Sequence, residues 1–173
     1  MAEMFENADL DDIDDLDESE SDQDAVSLLS ADHAEVKQMF ESYRQLVEED
    51  GDNEEKRELA EQICLALTVH AEIEEEIFYP AMRESIDDDL LLDQAEVEHA
   101  AAKDLIAQIQ GMDPDDALYD AKVLVLGEYI DHHVEEEESE IFPAAEKSGV
   151  DLEVLGAELA ERKQELMSAA EEE

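Results

Sequence analysis

The sequence predicts an all-α protein, an antiparallel up-down-up-down four-helix bundle followed by a short fifth helix. Two observations lead to this prediction. The chain of 173 residues contains only five glycines and three prolines, and this composition favours helices. Four long stretches have apolar residues at alternating steps of three and four and are joined by short polar turns, as in helices packed side by side.

The chain begins with an acidic segment. Residues 1–23 contain eleven acidic side chains and no lysine or arginine, so we expect a disordered tail. Leu10, Ile13 and Leu16 are spaced by three, and a short docking helix is the alternative for this segment. We therefore divide the chain into a tail (1–23), a helical bundle (24–148) and a C-terminal amphipathic helix (149–173).

The first two helices follow from apolar periodicity and turn residues. Asp24 is the predicted N-cap of the first helix, and the turn at residues 50–53 separates it from a second helix over residues 54–85. Pro80 removes a backbone donor and is expected to kink the second helix near its end. The apolar seam of the first helix contains Val26, Leu29, His33, Val36, Phe40, Tyr43 and Val47. The seam of the second contains Leu59, Ile63, Ala66, His70, Glu74, Ile77 and Ala81.

The remaining helices are predicted in the same way. An aspartate run at residues 87–89 connects to the third helix. Asp113 is the predicted N-cap of the fourth helix, with Pro114 at its first position, and Gly149 separates it from the fifth. The seam of the third helix contains Leu92, Ala95, His99, Ala102, Ile106 and Ile109. The seam of the fourth contains Val123, Leu126, Ile130, His133, Glu137 and Ile141.

Composition excludes several classes of function. The 55 acidic and 10 basic residues give a formal charge of −45, which disfavours nucleic acid and anionic membranes as partners because both are polyanions. Such a charge suits a protein that stays soluble in a high-salt cytoplasm. One cysteine, Cys64, excludes an internal disulfide framework and a cysteine-based metal site. No apolar run reaches the ~18 residues of a membrane span, and no secretion signal is visible, so we expect a cytoplasmic protein.

Four of the five histidines lie on the seams of four different helices. Burying imidazoles and carboxylates costs several kcal/mol unless each is paired or bound to a cation. A glutamate follows one turn after His70 and after His133. Such a pair alone is weak evidence in a glutamate-rich chain, but the shared placement on the seams favours a metal site over coincidence. The predicted ligands are His33, His70, Glu74, His99, His133 and Glu137. The neighbouring His132 falls on a polar strip and is predicted to be a surface residue.

The ligand types point to two ions. Six such groups exceed what one ion needs, and imidazole with carboxylate suits iron or manganese, with zinc as a further possibility. Ferritin-like di-iron proteins are the nearest rival architecture, but they use Glu-x-x-His pairs, whereas here the order is His-x-x-x-Glu. The layout also repeats, since Asp32-His33-Ala34 and Glu98-His99-Ala100 each precede a His/Glu pair, which suggests pseudo-twofold symmetry.

Four segments together resemble the hemerythrin-like, HHE cation-binding family over about residues 25–147. They are Leu28–His33, His70–Pro80, Glu98-His99 and His132–Pro143. The resemblance implies a non-haem, carboxylate-bridged di-iron centre, with the four seam histidines as terminal ligands and the two glutamates bridging. Oxygen-carrying hemerythrins use five histidines, and this chain matches four of those positions. The set of four histidines and two glutamates is more similar to di-iron proteins that repair iron–sulfur clusters, which carry an additional cysteine-bearing N-terminal segment.

We therefore predict a di-iron protein that binds or senses oxygen, peroxide or nitric oxide, or that handles iron. Manganese and zinc are the alternative metals. One alternative function is a di-iron enzyme: a peroxidase, an oxidase or a cluster-repair factor. Another is a helical interaction module without metal. The expected partner is a small diatomic ligand or peroxide, and the oligomeric state is left open. Tyr43, Tyr79, Tyr129 and Cys64 are predicted to pack in the core, with lining of the site or a redox role as the alternative.

Overall fold

The computed structural model describes residues 23–172, and every regular element in this range is helical, as predicted. The predictions for the acidic tail and its apolar triplet concern residues that lie outside this range, Gln23 excepted. Seven α-helices are present: α1 (Ala25–Glu48), α2 (Asn53–Ile73), α3 (Tyr79–Ser85), α4 (Asp89–Gln110), α5 (Tyr119–Glu136), α6 (Phe142–Lys147) and α7 (Leu152–Glu171). The C-terminal helix was predicted to be short, but α7 has 20 residues.

Aspartates cap four of the helices. The Asp24 carboxylate accepts the Ser27 backbone N–H at 2.8 Å and begins α1, as predicted. Asp52, Asp88 and Asp151 cap α2, α4 and α7 in the same way. Each cap satisfies a donor that the first turn of a helix leaves unpaired.

The predicted start of the fourth helix is wrong. Asp113 is not an N-cap, since α5 begins at Tyr119 and residues 111–118 form turns. The backbone N–H of Asp113 donates to the Asp116 carboxylate at 2.9 Å, and the Asp113 carboxylate accepts from Arg57. The carboxylate that a capping aspartate would use is therefore engaged with Arg57 instead.

Two widened turns interrupt the helices that contain the predicted glutamate ligands. The first π turn (Glu74–Phe78) joins α2 to α3, and the second π turn (Glu137–Ile141) joins α5 to α6. In the first π turn, the Tyr79 N–H donates to the Glu74 carbonyl five residues earlier. In the second, the Phe142 N–H donates to the Glu137 carbonyl. Pro80 and Pro143, which lack a backbone N–H, lie in the first turn of the α-helix that follows each π turn, so the irregularity expected near Pro80 takes the form of a π turn just before it.

The long helices surround two apolar clusters separated by a polar layer. Helix α1 packs against α2, α5 and α7, and α4 packs against α2 and α5. One cluster includes Leu29, Phe78 and Met82, and the other includes Tyr43 and Ile63. The four seam histidines lie along the helices between these clusters, so the fold places them at one level of the core. Within residues 23–172, no helix is long and apolar enough to cross a membrane.

Candidate metal centre

The structure brings all six predicted ligand residues together in the core. The histidines are between 5% and 7% exposed, and both glutamates are 0% exposed. Each glutamate is the first residue of a π turn. The side chain of His132 is 67% exposed and lies outside this group, as predicted.

The six residues form two groups of donor atoms. All donor atoms within a group lie within 4.8 Å of one another. The first triad is His33, His70 and Glu137, and the second triad is Glu74, His99 and His133. In the first triad His33 Nε2 lies 3.2 Å from His70 Nε2. In the second, His99 Nε2 lies 3.1 Å from His133 Nε2.

Both glutamates reach both triads. Glu74 Oε1 lies 2.9 Å from His70 Nε2 in the first triad and 3.4 Å from His99 Nε2 in the second. Glu137 Oε1 lies 3.1 Å from His33 Nε2, and its Oε2 lies 3.3 Å from His133 Nε2. Each carboxylate is therefore placed where it could bridge two ions.

Carboxylates on the outer side hold the histidine rings of the first triad. His70 Nδ1 lies 2.9 Å from Asp32 Oδ2, and His33 Nδ1 lies 3.1 Å from Glu138 Oε1. Because an ionised carboxylate only accepts hydrogen bonds, Nδ1 must donate in each pair. The hydrogen bond fixes the ring orientation and, in the neutral ring, leaves the Nε2 lone pair facing the triad, as in metal-binding histidines.

The second triad has a similar outer layer with one weaker member. His133 Nδ1 lies 3.1 Å from Glu98 Oε1. His99 Nδ1 is 3.5 Å from Glu75 Oε2 and makes no hydrogen bond with a described residue. Three of the four rings are thus oriented by a carboxylate hydrogen bond.

Sequence reasoning missed these outer carboxylates. It assigned Glu75 and Glu138 to the solvated surface and used Asp32 and Glu98 only as markers of the repeat. A signal was present, since each adjoins a predicted ligand: two precede a histidine and two follow a glutamate. Their role depends on contacts between different helices, which periodicity along one helix does not report.

Buried acceptor atoms at the centre lack hydrogen-bond donors. Both oxygens of Glu74, and Oε1 of Glu137, accept no hydrogen bond from any described residue. The nearest nitrogens are about as close as hydrogen-bonded atoms but do not point at these oxygens. Unpaired buried carboxylates cost several kcal/mol. Histidine nitrogens that converge on these oxygens without donating hydrogen bonds to them fit a site for cations.

The same geometry shifts the pKa values of the site in the absence of metal. Burial favours the neutral ring of His70, but the Glu74 charge and the Asp32 hydrogen bond raise the pKa of His70 well above its usual range. Burial also lowers the pKa of His133, but the close contact with Glu137 outweighs this effect and raises the pKa of His133 to about 9. Burial opposes ionisation of Glu137, yet its contacts with His133 and His33 lower the pKa of Glu137 well below its usual value. Protons therefore compete with cations for these nitrogens.

One tyrosine reaches the site. The Tyr79 hydroxyl donates to Glu137 Oε2 at 2.6 Å and lies 3.3 Å from His99 Nε2. Phe142 has the corresponding place in the second half of the chain and stacks on His33, with 5.7 Å between ring centroids. The Tyr79 hydroxyl therefore contacts Glu137 of the first triad and His99 of the second. Of the other two tyrosines considered, Tyr43 donates to Asp120 instead, and Tyr129 is 49% exposed.

A small cavity adjoins the triads. Its volume is about 30 Å³, enough for one or two water-sized molecules. All four histidines line it. The apolar side chains on its wall are Val36, Leu67, Ala71, Ala102, Ile106, Ile130 and Val134. The site thus adjoins a space of diatomic size whose wall, apart from the histidines, is mostly apolar.

The chain resembles known proteins over most of its length. Residues 24–145 match a family described as the hemerythrin HHE cation binding domain. A protein from Nostoc sp. described as a DNA nickase is 31% identical over 127 residues, which cover 71% of this chain but only 34% of that protein. The chain thus spans about a third of the length of this relative.

A solved structure shares the fold. It is a hemerythrin HHE cation binding domain-containing protein from Mycobacterium kansasii, with a TM-score of 0.72 and 22% sequence identity. The similarity covers 86% of this chain and 90% of that protein.

Proposed function

The chain belongs to the family of hemerythrin HHE cation-binding domains, and on this premise we propose that it binds two non-haem iron ions. The observation that supports this most directly is the pair of triads, in which buried nitrogen and oxygen atoms converge while three of the four glutamate oxygens accept no hydrogen bond from a described residue. The ligands are the six residues of these triads. Glu74 and Glu137 reach both triads, so we assign them as the bridging carboxylates.

Charge balance supports two ions. Six carboxylates lie in and around the triads, and two lysines pair with the outer ones. With neutral imidazoles the formal charge of this group is −4, which two divalent cations would neutralise. A single divalent cation would leave a formal charge of −2 on this group.

The donor types favour iron. Imidazole and carboxylate without thiolate suit iron or manganese, whereas structural zinc sites commonly include cysteine. The single cysteine is buried, and burial raises the pKa of its thiol to about 11. Cys64 is therefore a protonated core residue rather than a ligand, and manganese and zinc are the alternative metals.

The cavity favours a small ligand. Iron in this site would supply the electrons and open coordination positions that oxygen, peroxide or nitric oxide require. The chain's own residues set the size of this space, and a cavity of about 30 Å³ is matched by a diatomic molecule or peroxide. We infer that the protein binds or senses such a ligand, or handles iron.

A di-iron enzyme, a peroxidase or an oxidase, is the second candidate. Tyr79 is the observation that favours it, because its hydroxyl oxygen lies 2.6 Å from Glu137 Oε2, to which it donates, and beside the histidines of the second triad. A positioned O–H donor of this kind is what general acid catalysis needs. Turnover of peroxide by the iron-loaded protein, lost in Tyr79→Phe with iron content unchanged, would favour the enzyme over the carrier or sensor.

We also infer the antiparallel up-down-up-down arrangement for α1, α2, α4 and α5. Each of these helices packs against two of the others, in the cyclic order α1, α2, α4, α5. The connection between α1 and α2 is short, which favours antiparallel neighbours.

The activity described for the Nostoc relative is not extended to this chain. The shared region is about a third of that protein, and a formal charge of −45 opposes approach to DNA. The metal site described above lies within residues 24–145, which match the family.

Metal content and optical spectra test the proposal. Protein loaded anaerobically with iron(II) is expected to hold two ions per chain and to change its near-ultraviolet absorption on exposure to oxygen or nitric oxide. Glu74→Gln and His133→Ala are expected to lose at least one ion, because each removes a donor from the second triad. His132→Ala is the matched control and should retain both ions, since its ring is exposed. A wild-type chain that binds no iron, manganese or zinc would contradict the proposal and favour a metal-free interaction module.

A further inference from the structure

Helix α7 lies beyond the residues that match the family, yet it contacts the metal centre's surroundings. It packs against α1, α2 and the first π turn, and it buries Leu155 and Leu159 in the core. Two basic residues of α7 reach back to the bundle side by side. Arg162 pairs with Glu76 at 2.8 Å, and Lys163 pairs with Asp32 at 2.6 Å.

Lys163 connects to a predicted ligand through one carboxylate. Its Nζ donates to Asp32 Oδ1 at 2.6 Å, while Asp32 Oδ2 accepts from His70 Nδ1 at 2.9 Å. The Asp32 side chain is only 9% exposed. With one oxygen held by the ammonium group, the other oxygen has a fixed position from which to orient the imidazole.

The corresponding path of hydrogen bonds, from a lysine through a carboxylate to a histidine, is interrupted in the second triad. Glu98 occupies the place of Asp32 in the repeat, and its Oε2 lies 3.6 Å from the exposed ring of His132 rather than near a lysine. Lys103 does pair with Glu75 at 2.6 Å, but Glu75 is 3.5 Å from His99 Nδ1, which makes no hydrogen bond there. Among the described residues, only the first triad has an unbroken hydrogen-bonded path from a lysine to a ligand.

Asp32 has room to move if Lys163 is lost. A groove of about 560 Å³ lies between α1 and α7, and Asp32 and Lys163 both line it. Glu35 and Glu161 line the same groove, so an unpaired Asp32 would be repelled by like charges and could turn toward water. His70 Nδ1 would then lose its acceptor, and the ring would lose the contact that fixes its orientation.

We propose that Lys163 is a positioning residue of the metal centre, through which α7 controls how firmly the first triad holds its ion. This inference rests on the proposed function, since it concerns the two ions assigned there. Lys163 acts by holding Asp32, Asp32 acts by holding the ring of His70, and His70 presents Nε2 to the ion. The two ions are consequently held unequally, and α7 acts on one of them.

Release of iron to a chelator tests this inference. Iron(II)-loaded protein is mixed with an excess of a chromogenic iron(II) chelator, and the release of each ion is followed by absorbance. In Lys163→Met, one ion is expected to leave about 10-fold faster than in the wild type while the other keeps its rate, because loss of an outer hydrogen-bond partner weakens metal binding by roughly 10–100-fold. Lys163→Arg keeps the charge and should restore the slow rate.

Arg162→Met is the matched control. Arg162 and Lys163 are neighbours on α7, their side chains are each 35% exposed, and both substitutions remove one positive charge. Arg162 pairs with Glu76, which holds no ligand, so its loss loosens α7 without touching the triads. Thermal unfolding of the metal-free variants measures that loosening separately. If Lys163→Met does not fold, Lys163→Gln against Arg162→Gln makes the same comparison.

The outcomes separate the two proposals. A wild type that binds no iron, manganese or zinc overturns the proposed function together with this inference. A wild type that binds two ions, with Lys163→Met and Arg162→Met indistinguishable in release, overturns this inference alone. Equal acceleration of both ions would also overturn it, since the path from Lys163 leads to His70 only.

Discussion

At the scale of single residues, the two halves of the site differ by one hydroxyl group. Tyr79 and Phe142 occupy corresponding places in the repeat, and each ring packs against a histidine of the site. Only Tyr79 adds a donor, which satisfies Glu137 Oε2. The neighbouring Oε1 accepts no hydrogen bond from a described residue, so the hydroxyl is an important source of stabilisation for this buried carboxylate.

Tyr79→Phe is expected to destabilise the metal-free protein by about 1–3 kcal/mol, because a buried carboxylate oxygen loses its donor. The iron-loaded variant should keep two ions but show a shifted optical spectrum, since the group beside the second triad has changed. Tyr43→Phe is the control. It removes a hydroxyl that donates to Asp120 outside the site, so it should lower stability without moving the spectrum. Identical spectra for Tyr79→Phe and wild type would contradict this role.

The raised histidine pKa values predict how stability depends on pH without metal. A histidine whose pKa is raised by folding stabilises the folded protein fully at pH values below its pKa in the unfolded chain, about 6.5. This stabilisation is lost as the pH rises through its pKa in the folded protein, which is about 9 for His133. Between pH 6 and 9 the metal-free protein should lose about 3 kcal/mol from this group, with a further loss from His70. The lowered pKa of Glu137 acts oppositely, giving stability above pH 4.5 that is lost on acidification.

Denaturant unfolding at several pH values measures this dependence. The metal-free protein should be most stable between about pH 4.5 and 6.5, where His133 and Glu137 are both charged. Metal affinity should instead rise with pH, because fewer protons occupy the ligand nitrogens. A metal-free protein equally stable at pH 6 and 9 would show that the histidines are not paired as the structure places them.

At the scale of helices, the π turns and α7 shape the site. Each π turn begins at a buried glutamate and ends just before an aromatic residue that contacts a histidine. A π turn holds one more residue than an α turn, so it changes which side chains face the core, and such turns are frequent at functional sites. Helix α7 covers the flank of α1 through a close backbone contact at Gly156.

Gly156→Ala tests how closely α7 packs. A Cβ at this position would lie 2.3 Å from the Gln23 carbonyl oxygen and 2.7 Å from the Asp24 carbonyl carbon, and backbone atoms cannot yield easily. Glycine to alanine inside a helix normally gains about 1 kcal/mol, but here we expect a loss of at least that size.

Thermal unfolding of Gly156→Ala and of the control Gly111→Ala measures the difference. A Cβ at Gly111 would meet its nearest neighbour at an ordinary 3.6 Å, so that variant should be close to neutral. A stabilised Gly156→Ala would show that α7 does not lie this close to the start of α1.

At the scale of the whole molecule, charge is the dominant property. The formal charge of −45 is spread over a chain in which basic residues are scarce. Several of those few cations are used in the contacts that orient the site or attach α7, including Lys103, Arg162 and Lys163. Most of the remaining acidic side chains repel one another, and this self-repulsion opposes the compact state.

Added salt is expected to stabilise the protein. Raising potassium chloride from about 0.1 M to about 1 M shortens the Debye length from ~10 Å to ~3 Å and screens repulsion between surface carboxylates. The thermal unfolding midpoint should therefore rise. A midpoint that falls in molar salt would mean that exposed ion pairs contribute more than the repulsion, and it would count against adaptation to a high-salt cytoplasm.

Much of this site was predictable because helical periodicity is a local property. His33, His70, His99 and His133 fall on apolar seams, and periodicity also separated His133 from the exposed His132. The start of α5 was not predictable from the Asp113-Pro114 pair, because the same residues suit a turn and a cap. The π turns were not predicted either, since a one-residue shift in hydrogen bonding leaves little trace in the apolar pattern.

By itself, the sequence determined that the bundle is helical and which six residues were candidates for the site, whereas the expectation that polyanions are disfavoured as partners stays a prediction. Composition and periodicity are sufficient for the helices and the candidate ligands, because these two conclusions depend only on neighbours along one helix. Only the tertiary structure decided that Asp32, Glu98 and Glu138 orient histidines, that Tyr79 rather than Tyr43 reaches the site, and that Lys163 holds Asp32. These contacts join residues that are far apart in the chain, up to 131 positions for Lys163 and Asp32, so their geometry is set by how the helices pack.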